Sequence, residues 1–257
     1  MKKKWFAAAL AGTLLAVLLL NGCASAQTAK RLRFGVAGEG GVYHAFGELY
    51  AALENETDNG TVELKTTAGS AANLRLLTGE YLQLAIAQGD LAQDAYDQTG
   101  IFADEEETRG FGAVAALYTE ACQIVVRADA DIQSVEDLQG KTVSIGAEES
   151  GSEQNALQIL AAYGLNDKLV DTVNLNYEDA AAQLKAGKVD AIFITAGAPS
   201  PVLTELAGEC GIRLLNVDGA AAQRLTSAYS AYSAVTLPAG TYPGQDTDVQ
   251  TLGVKAV

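Results

Sequence analysis

The chain of 257 residues holds a single histidine, His44, and only three cysteines, at positions 23, 122 and 210. No C-x-x-C or H-E-x-x-H spacing occurs, which removes the usual protein frameworks for zinc, so no metal and no cofactor is expected. One histidine also leaves a Ser-His-Asp triad little to work with, and no G-x-S-x-G elbow is present. Basic residues are scarce, 17 against 32 acidic, for a net charge of −15. That balance repels nucleic acid and excludes a nucleic-acid role. After residue 20 nothing is long and apolar enough to span a bilayer. Export would permit a disulfide between Cys122 and Cys210, though two separate thiols explain them as well.

What the chain does have begins with a leader. Lys2, Lys3 and Lys4 precede an uninterrupted apolar run over 5–20, shorter than the ~20 residues a crossing helix needs. Residues 1–22 read as a signal peptide. Leu20-Asn21-Gly22-Cys23 resembles a lipobox, which implies cleavage before a lipidated Cys23, with 23–30 as a tether. Cleavage after Ala24-Ser25-Ala26 is the competing reading. Without the leader, 14 basic residues face 32 acidic ones, a net −18. A local anion site remains compatible with that charge, because backbone N–H groups at helix N-termini act at short range.

A pattern occurs twice. Asn73-Leu74-Arg75-Leu76-Leu77-Thr78-Gly79-Glu80 runs into the apolar 82–87, and Ala181-Ala182-Gln183-Leu184-Lys185-Ala186-Gly187-Lys188 runs into 189–194. Each reads as a helix, a glycine, a charge and a short buried strand. Upstream of each, a strand breaks into a Gly/Ser-rich loop before a helix, at Gly38-Glu39-Gly40-Gly41 and Ser150-Gly151-Ser152. Two similar α/β lobes suggest a clamp around a ligand. Strands are expected at 31–37, 61–67, 82–87, 111–117, 121–127, 142–146, 172–175, 189–194, 212–217 and 252–257. Helices are expected between them, with Phe46, Leu49, Tyr50 and Leu53 as the apolar stripe of the first. Alternating strands and helices indicate an α/β fold of mainly parallel sheets flanked by helices. Lobe one is placed at 31–120, lobe two at 121–232, and a return crossing to lobe one at 233–257. The acidic run Asp104-Glu105-Glu106-Glu107 reads as a solvated loop.

Two familiar motifs fail. Gly38-Glu39-Gly40-Gly41-Val42-Tyr43 sits where a dinucleotide fingerprint would, but Tyr43 replaces the third glycine. Gly140-Lys141-Thr142 mimics the end of a P-loop, yet Val135 stands at the required earlier glycine. What survives is a ring of loops at strand C-termini, where α/β sheets bind ligands. Gly41, Val42, Tyr43, His44, Ser70, Ala71, Asn73, Gln88 and Asp90 come from lobe one. Ser150, Ser152, Glu153, Gly197 and Pro199 come from lobe two. Three of the loops open helices, which suits a carboxylate or phosphate. The serines and Asp90 are equally good N-caps, and Asn73 and Glu153 can serve their own loops. No catalytic role is assigned: His44, Glu153 and Asp90 are the only candidates for a base, and none has an evident partner.

Several segments in order resemble one family. They are Gly40-Gly41-Val42-Tyr43, Gly69-Ser70 with Asn73-Leu74, Ala85-Ile86-Ala87-Gln88-Gly89-Asp90, Leu117-Tyr118-Thr119-Glu120, Val125-Val126-Arg127-Ala128-Asp129, Ser150-Gly151-Ser152-Glu153, Ala196-Gly197-Ala198-Pro199-Ser200-Pro201 and Pro238-Ala239-Gly240-Thr241-Tyr242-Pro243-Gly244-Gln245-Asp246. The chain resembles the TAXI class of TRAP-transporter solute-binding proteins. The resemblance implies a two-lobed type II periplasmic-binding fold without catalysis, expected as a monomer. It also implies a small anionic metabolite of the glutamate/2-oxoglutarate class, handed to a separate TRAP-type permease driven by an ion gradient. His44 stands where many relatives carry a second aromatic. Relatives also continue beyond the equivalent of Val257, so a C-terminally truncated chain is expected. The protein would then sit outside the cytoplasm, held to the membrane through Cys23. A receptor for an ABC importer of another organic anion is the alternative, and a sensory surface lipoprotein fits the same residues.

Overall fold

The computed structural model describes residues 31–57, 61–105 and 109–257. The leader, the Cys23 lipidation site, the tether, Glu106 and Glu107 lie outside the described residues. Among those described, no helix is long and apolar enough to cross a membrane.

Alternating Leu32, Phe34 and Val36 start the first unit, a βαβαβα run: β1 (Arg31–Gly35), α1 (Val42–Asn55), β2 (Thr61–Lys65), α2 (Ser70–Thr78), β3 (Leu84–Ala85) and α3 (Gly89–Asp97). The three strands are parallel in the order β2-β1-β3, with Leu32 opposite Val62 and Phe34 opposite Leu84. The stripe expected on α1 is corrected by the structure. Leu49 and Leu53 are 69% and 68% exposed, and the buried face is Tyr43, Gly47 and Ala51. Small residues win because they let the helix axis approach the sheet. A methyl group built on Gly47 would overlap Val36 Cγ1. Phe46 and Tyr50 flank this seam as a stacked pair, with Tyr50 edge-on to Phe34.

The second unit holds β4 (Thr119–Arg127), β5 (Thr142–Ser144), α4 (Gly151–Ala162), β6 (Asp171–Val173), α5 (Tyr177–Lys185), β7 (Ala191–Ala196), α6 (Pro201–Cys210), β8 (Ile212–Leu215), α7 (Gly219–Ala228), β9 (Ser233–Leu237) and β10 (Val249–Lys255). Its seven strands form one sheet, in which β5 pairs β6 and β7 in parallel. The nearly all-buried β4 runs antiparallel to β7 on one edge and to β8 and β10 on the other. The fold is thus α/β, with helices flanking two sheets, and parallel pairing is complete only in the small one. The large sheet is mixed because β4 and β10 cross it in opposite senses between the two units.

Residues 233–257, expected as the return crossing, form β9 and β10, paired to each other at five positions and joined to the large sheet through three pairs between β10 and β4. The last residues of this segment reach the small-sheet side, with Lys255 against Gly89. Ala87 and Val257 exchange both backbone hydrogen bonds, and Leu117 N–H donates to Ala256 O. The strand expected at 111–117 is absent, since residues 112–116 are exposed and no strand lies beside them among the described residues. The repeated helix-glycine-strand pattern also shifts register. The left-handed residue after α2 is Glu80 (φ 60°), one beyond Gly79, whereas after α5 it is Gly187 (φ 66°). Cys122 and Cys210 are separate free thiols.

Candidate functional site

A cavity of about 270 Å³ opens where the C-terminal ends of β1 and β2 face the N-terminal ends of α4 and α5. Glycines set its first wall. Gly40 (φ 76°) turns the chain after β1, and Gly41 caps α1 without a side chain. The first helical bond back is Ala45 N–H to Gly41 O at 3.2 Å. The Val42 and Tyr43 N–H groups at the cavity rim therefore have no intrahelical acceptor. Across the cavity, Ser150 Oγ accepts from Glu153 N–H at 3.1 Å, as expected of an N-cap. That leaves the Gly151 and Ser152 N–H groups without a protein partner among the described residues.

Two hydrogen-bonded assemblies line the floor. Ser152 Oγ accepts from Thr195 N–H (2.9 Å) and meets Tyr177 OH (2.6 Å), which donates to Thr195 O (2.8 Å). This closed ring ties α4, α5 and β7 together. Tyr43 OH donates to Glu120 Oε2 at 2.6 Å, linking α1 to β4. Glu120 is 2% exposed, and burial pushes its carboxyl up to about 8 despite the Tyr43 bond, helped by the charge of Asp90. Burial and the adjacent Glu120 hold the Tyr43 phenol well above its ordinary value. No lysine, arginine or histidine lines the cavity.

Residues 34–257, most of the chain, match the signature of a known family. The chain belongs to the NMT1-like family. Among solved structures, this NMT1-like chain is similar to the alkanesulfonate-binding protein SsuA from Xanthomonas axonopodis pv. citri bound to MOPS. That match has 20% identity, covers 78% of this chain and 68% of the other, and has a TM-score of 0.50. The periplasmic aliphatic sulphonate binding protein SsuA from Escherichia coli matches at 21% identity over 72% of this chain and 60% of its own, TM-score 0.46. An ancestral arginine-binding protein bound to arginine matches at 18% identity over 89% and 86%, TM-score 0.49. The NMT1-like chain thus spans 60% of the length of the E. coli protein. The fold is that of the periplasmic solute-binding proteins.

Of the residues expected at the ring of loops, Gly41, Val42, Tyr43, Ser70, Ser150 and Ser152 line the cavity. The others lie elsewhere, for reasons visible in their bonds. Ala71 and Ala72 N–H both donate to Glu149 O (3.1 and 3.3 Å), so the α2 terminus is already occupied by backbone from the second unit. Asn73 is fully buried, donating to Gly35 O and Ile86 O and accepting from Thr67 Oγ1. Gln88 packs against Gly151, and its N–H donates to Ser70 Oγ at 3.0 Å. Asp90 accepts from Asn155 Nδ2 at 3.2 Å, and burial raises its carboxyl to about 6. Glu153 accepts from Glu149 N–H and Asn174 Nδ2, both at 2.8 Å. His44 sits 3.9 Å from Glu48 on α1. Gly197 lies under the Tyr118 ring, and Pro199 follows it in the turn before α6.

Sequence reasoning missed Glu120, Tyr177, Thr195 and Asn176 as lining residues. One signal for Glu120 was available: a lone acid directly ahead of the strand expected at 121–127. Nothing in the local pattern marks Tyr177, which is placed only by its bond to Thr195 O.

Proposed function

We propose that this NMT1-like protein is an extracytoplasmic receptor that captures a small organic acid between two lobes. The supporting observation is the cavity between the two sheets. There the first residues of α1 and α4, whose N–H groups have no intrahelical acceptor, line opposite walls, and Tyr43, Glu120, Ser152 and Tyr177 add polar side chains. Helix N-termini in a dehydrated cleft favour a carboxylate or related anion. The lobes in this reading are 31–120 and 121–232. They move about the antiparallel pair β4 and β10, which meet at Gly253–Ala121 and Lys255–Thr119. The receptor acts as a monomer, without catalysis, and hands its solute to a TRAP-type permease as a TAXI-class protein. Cys23 carries the lipid that holds it at the membrane.

A thermal-shift screen of the protein without its leader tests the reading, using glutamate, glutamine, 2-oxoglutarate, C4-dicarboxylates and sulfonates. Ligand at 100 times its dissociation constant stabilises by about 2.7 kcal/mol, a shift of several degrees. A shift for a carboxylate supports the receptor. A shift for sulfonates alone moves the protein to the ABC-importer alternative, since the Xanthomonas relative was bound to the sulfonate MOPS.

A further inference from the structure

Glu120 is the one buried acid of the cavity, and its surroundings supply no cation. The lining holds no lysine, arginine or histidine, and its other carboxyl, Glu39, is exposed. One oxygen of Glu120 takes the Tyr43 hydroxyl at 2.6 Å. Its Oε1 receives no hydrogen bond from the described residues. The opposite requirement sits elsewhere in the same cavity, where the α1 and α4 termini offer N–H groups to an anion. The cavity therefore presents both preferences, for an anion at the helix termini and for a cation at the free oxygen of Glu120.

We infer that the captured solute carries a protonated amine as well as its acid group, and that Glu120 is the residue that receives the amine. This rests on the reading of the protein as a solute receptor and narrows the acid to an amine-bearing one. A buried carboxyl without a counter-charge keeps its proton, and here burial raises it to about 8. An ammonium beside Oε1 supplies the missing charge and favours the ionised form, with Tyr43 OH already placed to donate to Oε2. Binding near pH 7 then releases the Glu120 proton. An amine-free oxo acid leaves Glu120 unpaired or needs it as a donor, which gives the opposite pH dependence.

The groups around Glu120 do not reproduce that behaviour. Tyr43 on α1, Tyr118 ahead of β4 and Tyr177 on α5 all stay protonated, their phenols raised by burial. Cys122 on β4 is pushed up to about 12. Asp90 on α3, near 6, titrates only at the lower end of the range that matters, so the upper end reports Glu120. Lys255 on β10 is exposed, with Nζ on Thr119 Oγ1 at 2.6 Å.

The test is isothermal titration of the leaderless protein with common L-amino acids and their matched 2-oxo acids between pH 6.5 and 8. Sulfonates run as a separate arm, and the Glu120→Gln variant runs in parallel. An amino acid is expected to bind about tenfold or more tighter than its oxo acid, the step expected of a charge-assisted hydrogen bond. Its affinity should rise with pH, with protons released to the buffer. Glu120→Gln keeps an acceptor for Tyr43 and should lose that preference, weakening the amino acid far more than the oxo acid. Should the variant fail to fold, the pH dependence of the parent protein decides alone. Equal or tighter binding of the oxo acid, or amino-acid affinity that falls as pH rises, overturns the amine inference while the receptor reading stands. Binding of neither class nor of sulfonates overturns the receptor reading, and the amine inference with it.

Discussion

At the scale of single residues, Glu120 and Ser152 set the chemistry of the cavity. Glu120 holds its proton in the folded protein to about pH 8, whereas in the unfolded chain it loses it near 4.5. The folded state therefore binds the extra proton, and that stability is full at low pH and is lost as pH rises toward 8. Ligand-free protein should lose stability as pH rises to 8, with Asp90, near 6, contributing to the lower part of that slope, and Glu120→Gln should flatten the part between pH 7 and 8 in urea denaturation series. Ser152→Ala leaves the Thr195 N–H buried without its acceptor and opens the ring with Tyr177. It should cost about 1–3 kcal/mol by the same measurement. An unchanged midpoint would mean that water replaces the hydroxyl. Asn73 illustrates why residue type alone misassigns a role. A polar side chain in a loop at the strand ends is a natural ligand contact, but Gly35 O, Ile86 O and Thr67 Oγ1, at or just beyond the ends of the three strands, claim it first.

At the scale of elements, periodicity located most helices and strands but not their buried faces. On α1 the eye follows large apolar residues, whereas packing selected Gly47 and Ala51 because the helix must lie close to Val36. Gly47→Ala is accordingly expected to destabilise by about 1–3 kcal/mol through overpacking, although alanine is the better helix former. Leu49→Gln, on the exposed face, should stay within about 0.5 kcal/mol. Chemical denaturation of both variants checks the pair, and the reverse ranking would place Leu49 in a contact. The segment 111–117 has the composition of a strand, but a strand exists only where a neighbour offers its backbone groups, and pairing is decided far away in sequence.

For the whole molecule, the decisive contacts run between the two units. Gly69 (φ 136°) lies against Ser150, with a built Cβ 3.2 Å from Ser150 Cα, and Glu149 O covers the α2 terminus. Gly69→Val should therefore prevent the two walls from meeting. It should lower solute affinity at least about tenfold in titration calorimetry while the melting transition of the ligand-free protein remains cooperative. Undiminished affinity would show that closure does not pass through this contact.

Local pattern was sufficient for the α/β class and for the serine at the start of α4, because those follow from periodicity and capping over a few residues. Only the tertiary structure decided which loop residues face the cavity, that the α2 terminus is already occupied, and that Glu120 is buried beside Tyr43. Those outcomes depend on partners 77 positions apart for Tyr43–Glu120 and 78 for Ala71–Glu149. Burial and hydrogen-bond competition across such separations are properties of the packed chain, and no local window contains them.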